Sequence, residues 1–353
     1  MNLSAQVDEQ AAVTALLAIE TAIDRLCAGS GLSEAEAEAL FGEVVAGHVG
    51  ETELAGLLVA LKGKGEGAAE LTGAARALRA AAEPFPSPDY LFADTCGTGG
   101  DRSGTINIST AVAFVAAACG LPVVKHGNRS MTSRCGSADV LERLGGRIDL
   151  SAAQSRRVLD EAGVCFLFAP QYHPGMRHAG PVRRALGVRT IFNMLGPCLN
   201  PAAPPVQIVG VAEPRLIEPI AHTLRTLGCK RALVVHGAGL DEIALHAPTE
   251  AIRVTDGKIE HLTITPEEAG LERVSKEPLA GGDPDENARR LRALLSGGGS
   301  ETERNMVAIN AGALLVTAGL ADDLRAGTQA ALAALSDGRA LARLDAFVEA
   351  SNA

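Results

Sequence analysis

From residue 91 onward the chain alternates two apolar patterns, and this alternation limits its fold more than any other feature. Short apolar, β-branched runs stand at 91-LFAD-94, 121-LPVVK-125, 164-VCFLF-168, 206-VQIVGV-211 and 231-RALVVHG-237. Between them lie stretches with helical spacing over 109–119, 137–144, 151–163 and 214–228. Each run is too short for a helix and too continuously apolar for a half-exposed strand, so it predicts a strand buried on both faces. Strands and helices in alternation predict a mostly parallel central sheet covered by helices. Ser151 followed by Gln154 predicts a capped start for one of those helices. Ligands of such sheets bind beyond the carboxyl ends of the strands, so the residues after each run are the functional candidates.

The first quarter of the chain is different. Residues 4–82 read as helices, with apolar residues three and four apart in 12-AVTALLAIETAIDRL-26. Ser33 with Glu36 predicts a capping box that opens 33-SEAEAEALFGEVVAG-47. The stretch 81-AAEPFPSPDY-90 holds three prolines and marks a boundary. A second irregular stretch, 171-QYHPGMRHAGPVRRALG-187, places Pro174 and Pro181 where each suits the first turn of a short helix. The run 297-GGGSE-301 predicts a surface loop, and there is no internal repeat. The fold class is α/β.

At 353 residues with 47% apolar content, the chain has material for two domains and a substantial core. Its net charge of −10 argues against nucleic acid or an anionic membrane as main partner. Residues 101–190 reverse that balance, with twelve Lys/Arg against six Asp/Glu. The surplus suits a small anionic ligand, and scattered surface arginines would produce it equally. Seven cysteines form no CxxC pair, as expected of reduced residues in a cytoplasmic protein. The N-terminus lacks a signal-peptide pattern. The nearly apolar 111-AVAFVAAACGLPVV-124 is shorter than the ~20 residues of a membrane span.

Four constellations carry chemistry. The first, 97-GTGGDRSGTINIST-110, follows a strand and opens a helix. It is neither a Walker A loop, because Thr105 stands where Lys belongs, nor a dinucleotide fingerprint, because Arg102 replaces the third glycine. Its glycines could still aim backbone N–H groups at an anion, although a plain capped turn would look the same. The second, 125-KHGNRSMTSRCGSAD-139, sets Lys125, Asn128, Arg129, Ser130, Thr132, Ser133 and Ser137 after another strand, a dense group of donors for phosphate. In the third, 236-HGAGLDEIALH-246, Asp241 and Glu242 would repel an anion unless Mg²⁺ stood between, since Mg²⁺ takes carboxylate and phosphate oxygens together. Two solvated acids in a turn are the alternative. The fourth, 173-HPGMRHAGPVRR-184, offers His173, Arg177 and Arg183, and an arginine there suits a carboxylate. Surface or interface charges would share this spacing.

These motifs resemble those of the anthranilate phosphoribosyltransferases. The likeness rests on GTGGDxxxTxNxST (97–110), KHGNRxxxSxxGSADxLExLG (125–145), YHPxMRxAxPVRRxLGxRTIFNxLGPxxNP (172–201) and HGxGLDE (236–242), with Lys64-Gly65-Glu66 and 305-NMVAINAGALL-315 in support. The resemblance implies a helical, dimerising domain over 1–85, with about 170–200 packing back on it. It also implies an α/β domain over 86–169 and 201–353 that binds phosphoribosyl pyrophosphate. The implied reaction moves phosphoribose to the amino group of anthranilate, with Mg²⁺, in a homodimer. By position, Gly97, Gly100, Asp101, Thr105, Asn107, Ile108, Ser109, Thr110, Lys125, Arg129, Ser133 and Ser137 would meet the phosphoribosyl donor. Ser109, Asp241 and Glu242 would hold the metal. Anthranilate would meet Asn128, His173, Arg183, Gly196 and Pro197.

Lys125 and Asn128 are then the expected catalytic groups, and His126 or His173 could accept the amine proton, as could water. Two positions depart from the family's usual residues: Thr132 stands for serine, keeping the hydroxyl, and Cys198-Leu199 stands for Leu-Thr at the anthranilate side. A pyrimidine nucleoside phosphorylase shares the architecture but needs neither the acidic pair nor Arg183. A nucleic-acid-binding relative would want an extended basic face and stacking rings, whereas aromatics are 3% of this chain.

Overall fold

The computed structural model describes residues 18–101, 103–130, 134–275 and 280–353. It divides into two compact units, Met1–Glu83 with Tyr172–Leu199, and Pro84–Gln171 with Asn200–Ala353.

The first unit is all helical. Helices run over 18–27, Glu34–Ala46, Glu51–Lys64 and Ala68–Ala80. Ser33 caps the second as its sequence suggests: its Oγ accepts the Glu36 N–H, and the Glu36 carboxylate accepts the Ser33 N–H at 2.8 Å. Helices Glu34–Ala46 and Ala68–Ala80 pack so closely at Gly73 that a methyl there would overlap the Glu34 carbonyl and lie 2.7 Å from the Ala37 Cβ. Buried Glu70 joins three segments. It accepts N–H groups from Leu32 (3.0 Å) and Gly67 (2.8 Å) and pairs with Lys64 Nζ at 2.9 Å. The later stretch supplies a 3₁₀ turn over Pro174–Arg177 and helices Gly180–Leu186 and Phe192–Leu195, with proline early in the first two as expected. Phe192 meets Phe41 edge to face, 5.6 Å between centroids. Such a contact is worth about 1 kcal/mol beyond the area it buries.

The second unit is built on a seven-stranded sheet: β1 (Ala93–Gly97), β2 (Val123–Gly127), β3 (Val164–Phe168), β4 (Val206–Gly210), β5 (Arg231–His236), β6 (Thr249–Thr255) and β7 (Lys258–Ile264). The order is β3-β2-β1-β4-β5-β6-β7, parallel from β3 through β5 and antiparallel at β6 and β7. β2, β4 and β5 are buried at nearly every position, so both faces of the parallel part are covered, as their unbroken apolar runs require. Helix Ile108–Ala118 is buried along almost its whole length, and its Phe114 meets Phe347 at 5.8 Å. β6 alternates buried and exposed residues, and Asp256-Gly257 turns it into β7 with φ of +47° and +80°. The strand order reverses between β1 and β4. This makes the carboxyl ends of those two strands the place where such sheets bind ligands.

Candidate active site

The site is made possible by glycines at the ends of two neighbouring strands. Gly97 closes β1 beside Gly210, which closes β4. A methyl on Gly210 would overlap the Asp241 carbonyl, and one on Gly97 would overlap the Asp241 carboxylate. Close approach, of the Asp241 backbone at Gly210 and of its side chain at Gly97, rather than a turn, therefore favours glycine at both positions. The space admits the segment after β5, which carries Asp241 and Glu242. That segment is held from behind: His236 Nδ1 donates to Val211 O (2.8 Å), His236 Nε2 accepts the Gly239 N–H (3.2 Å), and Ile243 N–H donates to buried Asn310 (2.9 Å).

Gly99 and Gly100, with φ of +61° and +80°, bend the loop after β1 so that Gly99 N–H donates to Asp241 Oδ2 at 2.8 Å. Asp101 belongs to the same group of acids. Burial, followed by repulsion from Asp101, pushes the Asp241 carboxyl up to about 7. Burial, followed by repulsion from Asp241, holds Glu242 well above the usual carboxylate range, although Lys125 and the Ser109 N–H oppose the shift. Asp101 acts on both Asp241 and Glu242, and such crowding of acids fits a hard cation. Among the described residues no three His, Cys, Asp or Glu side chains are grouped closely enough to coordinate an ion alone. A divalent ion here would complete its shell with ligand oxygens and water, as Mg²⁺ does. Asp241, Glu242 and the Ser109 hydroxyl are the oxygen donors at hand.

Lys125 rises from β2 and is 3% exposed. Its Nζ donates to Thr95 O (2.6 Å) and to Ser109 Oγ (3.1 Å), so the ammonium lies at the start of helix Ile108–Ala118. A buried ammonium calls for a counter-charge. Two buried acids feel its charge, Glu242 and a residue the sequence reading missed, Asp94 on β1. Asp94 Oδ1 accepts the Thr95 N–H at 2.7 Å, Oδ2 accepts Asn200 Nδ2 at 2.9 Å, and the His126 N–H adds a third donor. Burial raises its pKa while Lys125 and these donors oppose the shift. Asn200 is itself wholly buried, and its Nδ2 also donates to Val124 O. Next to Ser109, the buried Thr110 Oγ1 has no hydrogen-bond partner among the described residues, an unusual state for a buried hydroxyl.

The remaining expected residues fall into groups. Asn128 O accepts both the Ala138 N–H and the Ser137 hydroxyl. Arg129 is exposed, paired with Glu142 and Asp139, and stacked 5.6 Å from the Phe168 ring centre, so its charge is already engaged. Ser133 and Thr132 lie outside the described residues. Thr105 bridges to Ala280, and Asn107 Nδ2 donates to Cys135 O. His126 is buried on β2 and Ile108 is buried at the helix start.

Four expected residues belong to the helical unit. His173 is buried with Nε2 3.0 Å from Leu199 O, and burial lowers its pKa, so the ring is kept neutral and oriented. Arg183 differs. No carboxylate pairs with it among the described residues; its guanidinium lies 5.4 Å from the Phe192 ring centre, and burial lowers its pKa. A guanidinium so placed is suited to receive a carboxylate in two-point fashion. Gly196 and Pro197 start a 3₁₀ turn that ends at Cys198, whose carbonyl accepts Arg79 Nε at 2.6 Å.

Comparison with known proteins agrees with this geometry. Residues 89–341 match the glycosyl transferase family, a/b domain, and residues 20–82 match the helical bundle domain of that family. The anthranilate phosphoribosyltransferase of Sorangium cellulosum is 60% identical, over 93% of this chain and 94% of its own. The crystal structure of the Thermus thermophilus enzyme of that name superposes with a TM-score of 0.88 at 42% identity, covering 94% of this chain and 99% of the other. The Saccharomyces cerevisiae enzyme in complex with PRPP and Mg gives 0.86 at 25% identity, over 95% of this chain and 98% of the other. On a glycine-edged switch point with its acids and ammonium, and on likeness along nearly the whole length, the chain belongs to the anthranilate phosphoribosyltransferase family of glycosyl transferases.

Proposed function

We propose that the protein transfers phosphoribose from 5-phosphoribosyl 1-pyrophosphate to the amino group of anthranilate. The products are N-(5-phosphoribosyl)anthranilate and pyrophosphate, in L-tryptophan biosynthesis. The observation that carries the reading is the meeting of Lys125 with Ser109, Asp241 and Glu242 where the strand order reverses.

The chemistry asks little of the protein as a base. The aromatic amine of anthranilate is neutral near pH 7 and attacks ribose C1 as the bond from C1 to the pyrophosphate oxygen breaks. Negative charge grows on the leaving oxygen, and fixed donors aimed there lower the barrier. Lys125 supplies one such donor; the hydroxyls of Ser109 and Thr110 supply further polar contacts. Bound Mg²⁺ would add positive charge between the pyrophosphate oxygens and Asp241, Glu242 and Ser109. Asn128 and Arg183 orient anthranilate, Arg183 through its carboxylate, so that attack becomes effectively intramolecular. The proton leaves the amine last. Because Nε2 donates to Leu199 O, an acceptor role for His173 would fall to its Nδ1; His126 and water are the alternatives.

The same reading makes the enzyme a homodimer that associates through the helical unit, whose helix Glu51–Lys64 exposes Val59. Its free cysteines suit a reducing cytoplasm. No described helix is long and apolar enough to cross a membrane.

The direct test mixes enzyme, anthranilate, phosphoribosyl pyrophosphate and Mg²⁺ and follows anthranilate fluorescence. Signal should fall with Mg²⁺ and hold steady with a chelator. Steady fluorescence under both conditions, or uridine phosphorolysis in its place, would overturn the reading. Replacing Asp241 with Asn and Glu242 with Gln together should shift the Mg²⁺ titration to higher concentration; an unchanged curve would remove the pair from metal binding.

A further inference from the structure

Three segments far apart in sequence meet at one side chain with no assigned role. Asn287 is 2% exposed on helix Pro284–Leu295. Its Oδ1 accepts the Gly282 N–H at 2.7 Å, and its Nδ2 donates to Asn107 Oδ1 at 3.1 Å. Asn107 in turn donates from Nδ2 to Cys135 O at 3.2 Å. The Cys135 thiol also touches Asn287, and burial pushes it up to about 11, so it is a neutral wall of the cluster. The amides thus run head to tail from Gly282 through Asn287 and Asn107 to Cys135, an arrangement in which each bond polarises the next.

The last two members of this relay, Asn107 and Cys135, lie in the two loops that carry the expected phosphate contacts. Asn107 precedes Ser109 and Thr110, and Cys135 precedes Ser137. The segment that brings Asn287 in is itself anchored. Ala280 pairs with Thr105, Gly281 N–H donates to Gly104 O, and Arg290 reaches both the Ala280 carbonyl and Glu303 (2.7 Å). No room exists for a side chain at Gly281, where a Cβ would lie 2.8 Å from Thr105 O and 3.0 Å from Asn287 Oδ1.

We propose that Asn287 is a positioning residue: it sets the spacing of the two phosphate-binding loops by fixing Asn107, and so tunes affinity for the phosphoribosyl donor without touching it. The proposal rests on the functional reading above, and its test separates the two. Asn287→Leu keeps the volume and removes both hydrogen bonds. Asn287→Asp is the milder change, keeping an acceptor for Gly282 and placing an oxygen against Asn107 Oδ1.

Two measurements decide it. Amide hydrogen exchange without ligand should speed up in both loops, 104–110 and 134–138, in either variant. Calorimetry should show the Kd for phosphoribosyl pyrophosphate with Mg²⁺ weakened about tenfold, the size of one lost charge-assisted hydrogen bond. The KM for anthranilate should stay within about twofold, on the same scale of comparison. Should Asn287→Leu fail to fold, Asn287→Asp carries both measurements. Faster exchange confined to the Asn287 helix, or an unaltered donor Kd in a folded variant, would overturn the proposal. If wild type bound no donor at all, the functional reading would fail, while exchange would still decide whether Asn287 couples the loops.

Discussion

Asp94→Asn isolates the electrostatic support of the site, because the substitution keeps the shape of the side chain and changes its charge and one acceptor. In the native protein the Asp94 carboxylate receives N–H groups from Thr95 (2.7 Å), Asn200 (2.9 Å) and His126, and faces the buried Lys125 ammonium. An asparagine retains one oxygen but turns an NH₂ group toward at least one of those donors. Breaking a buried ion pair in direct contact costs about 3–5 kcal/mol, an upper bound for two buried charges that act on each other as Asp94 and Lys125 do. Lost hydrogen bonds to a charged group, at about 1.5–3 kcal/mol each, fall in the same range. Against this, the native carboxylate carries a desolvation cost, visible in its raised pKa, that the amide does not. The lower end, about 3 kcal/mol, is therefore expected. Urea unfolding followed by far-UV circular dichroism measures it; the chain has no tryptophan to report by fluorescence. A double-mutant cycle with Lys125→Met identifies the cause: with the ammonium gone, Asp94→Asn should cost at least about 1.5 kcal/mol less. A loss under about 1 kcal/mol, or strict additivity with Lys125→Met, would refute the pairing.

Arg183→Ala should raise the KM for anthranilate by about a hundredfold, the value of a lost charge-assisted two-point contact, and leave the Kd of phosphoribosyl pyrophosphate alone. Equal effects on both substrates would remove its assigned role. Lys125→Ala should weaken calorimetric binding of phosphoribosyl pyrophosphate by at least about tenfold, and a wild-type Kd would exclude the contact. Gly210→Ala places a methyl on the Asp241 carbonyl, so the segment 237–242 must move. The expected result is a folded sheet with a displaced Mg²⁺ titration; normal metal dependence would mean that the segment has slack the packing does not show.

What could be read in the sequence was local. Ser33 with Glu36 and Ser151 with Gln154 cap their helices because each box closes within one turn, and both form as expected. The polar loops after β1, β2 and β5 were visible for the same reason. The strand bounds were less so: the runs at 91–94 and 121–125 each begin two residues early, since the strands are Ala93–Gly97 and Val123–Gly127. Apolar content marked the start of each strand, whereas glycine at the end of β1 answers to Asp241 crossing above it, a demand set by residues far along the chain. The β6–β7 hairpin was passed over although Asp256-Gly257 announces its turn, because its strands carry exposed charges on one face and lack a continuous apolar run. Least legible were the buried polar hubs. Asp94 meets Asn200 across 106 residues and Asn107 meets Asn287 across 180, so no spacing rule could pair them. An isolated aspartate or asparagine in an apolar stretch reads as a misplaced polar residue until its donors are known. Burial makes such groups costly when unpaired, and the fold therefore brings their partners from wherever the chain can supply them. The residues that hold Lys125 and Asn107 in place are, for that physical reason, the ones a local reading misses.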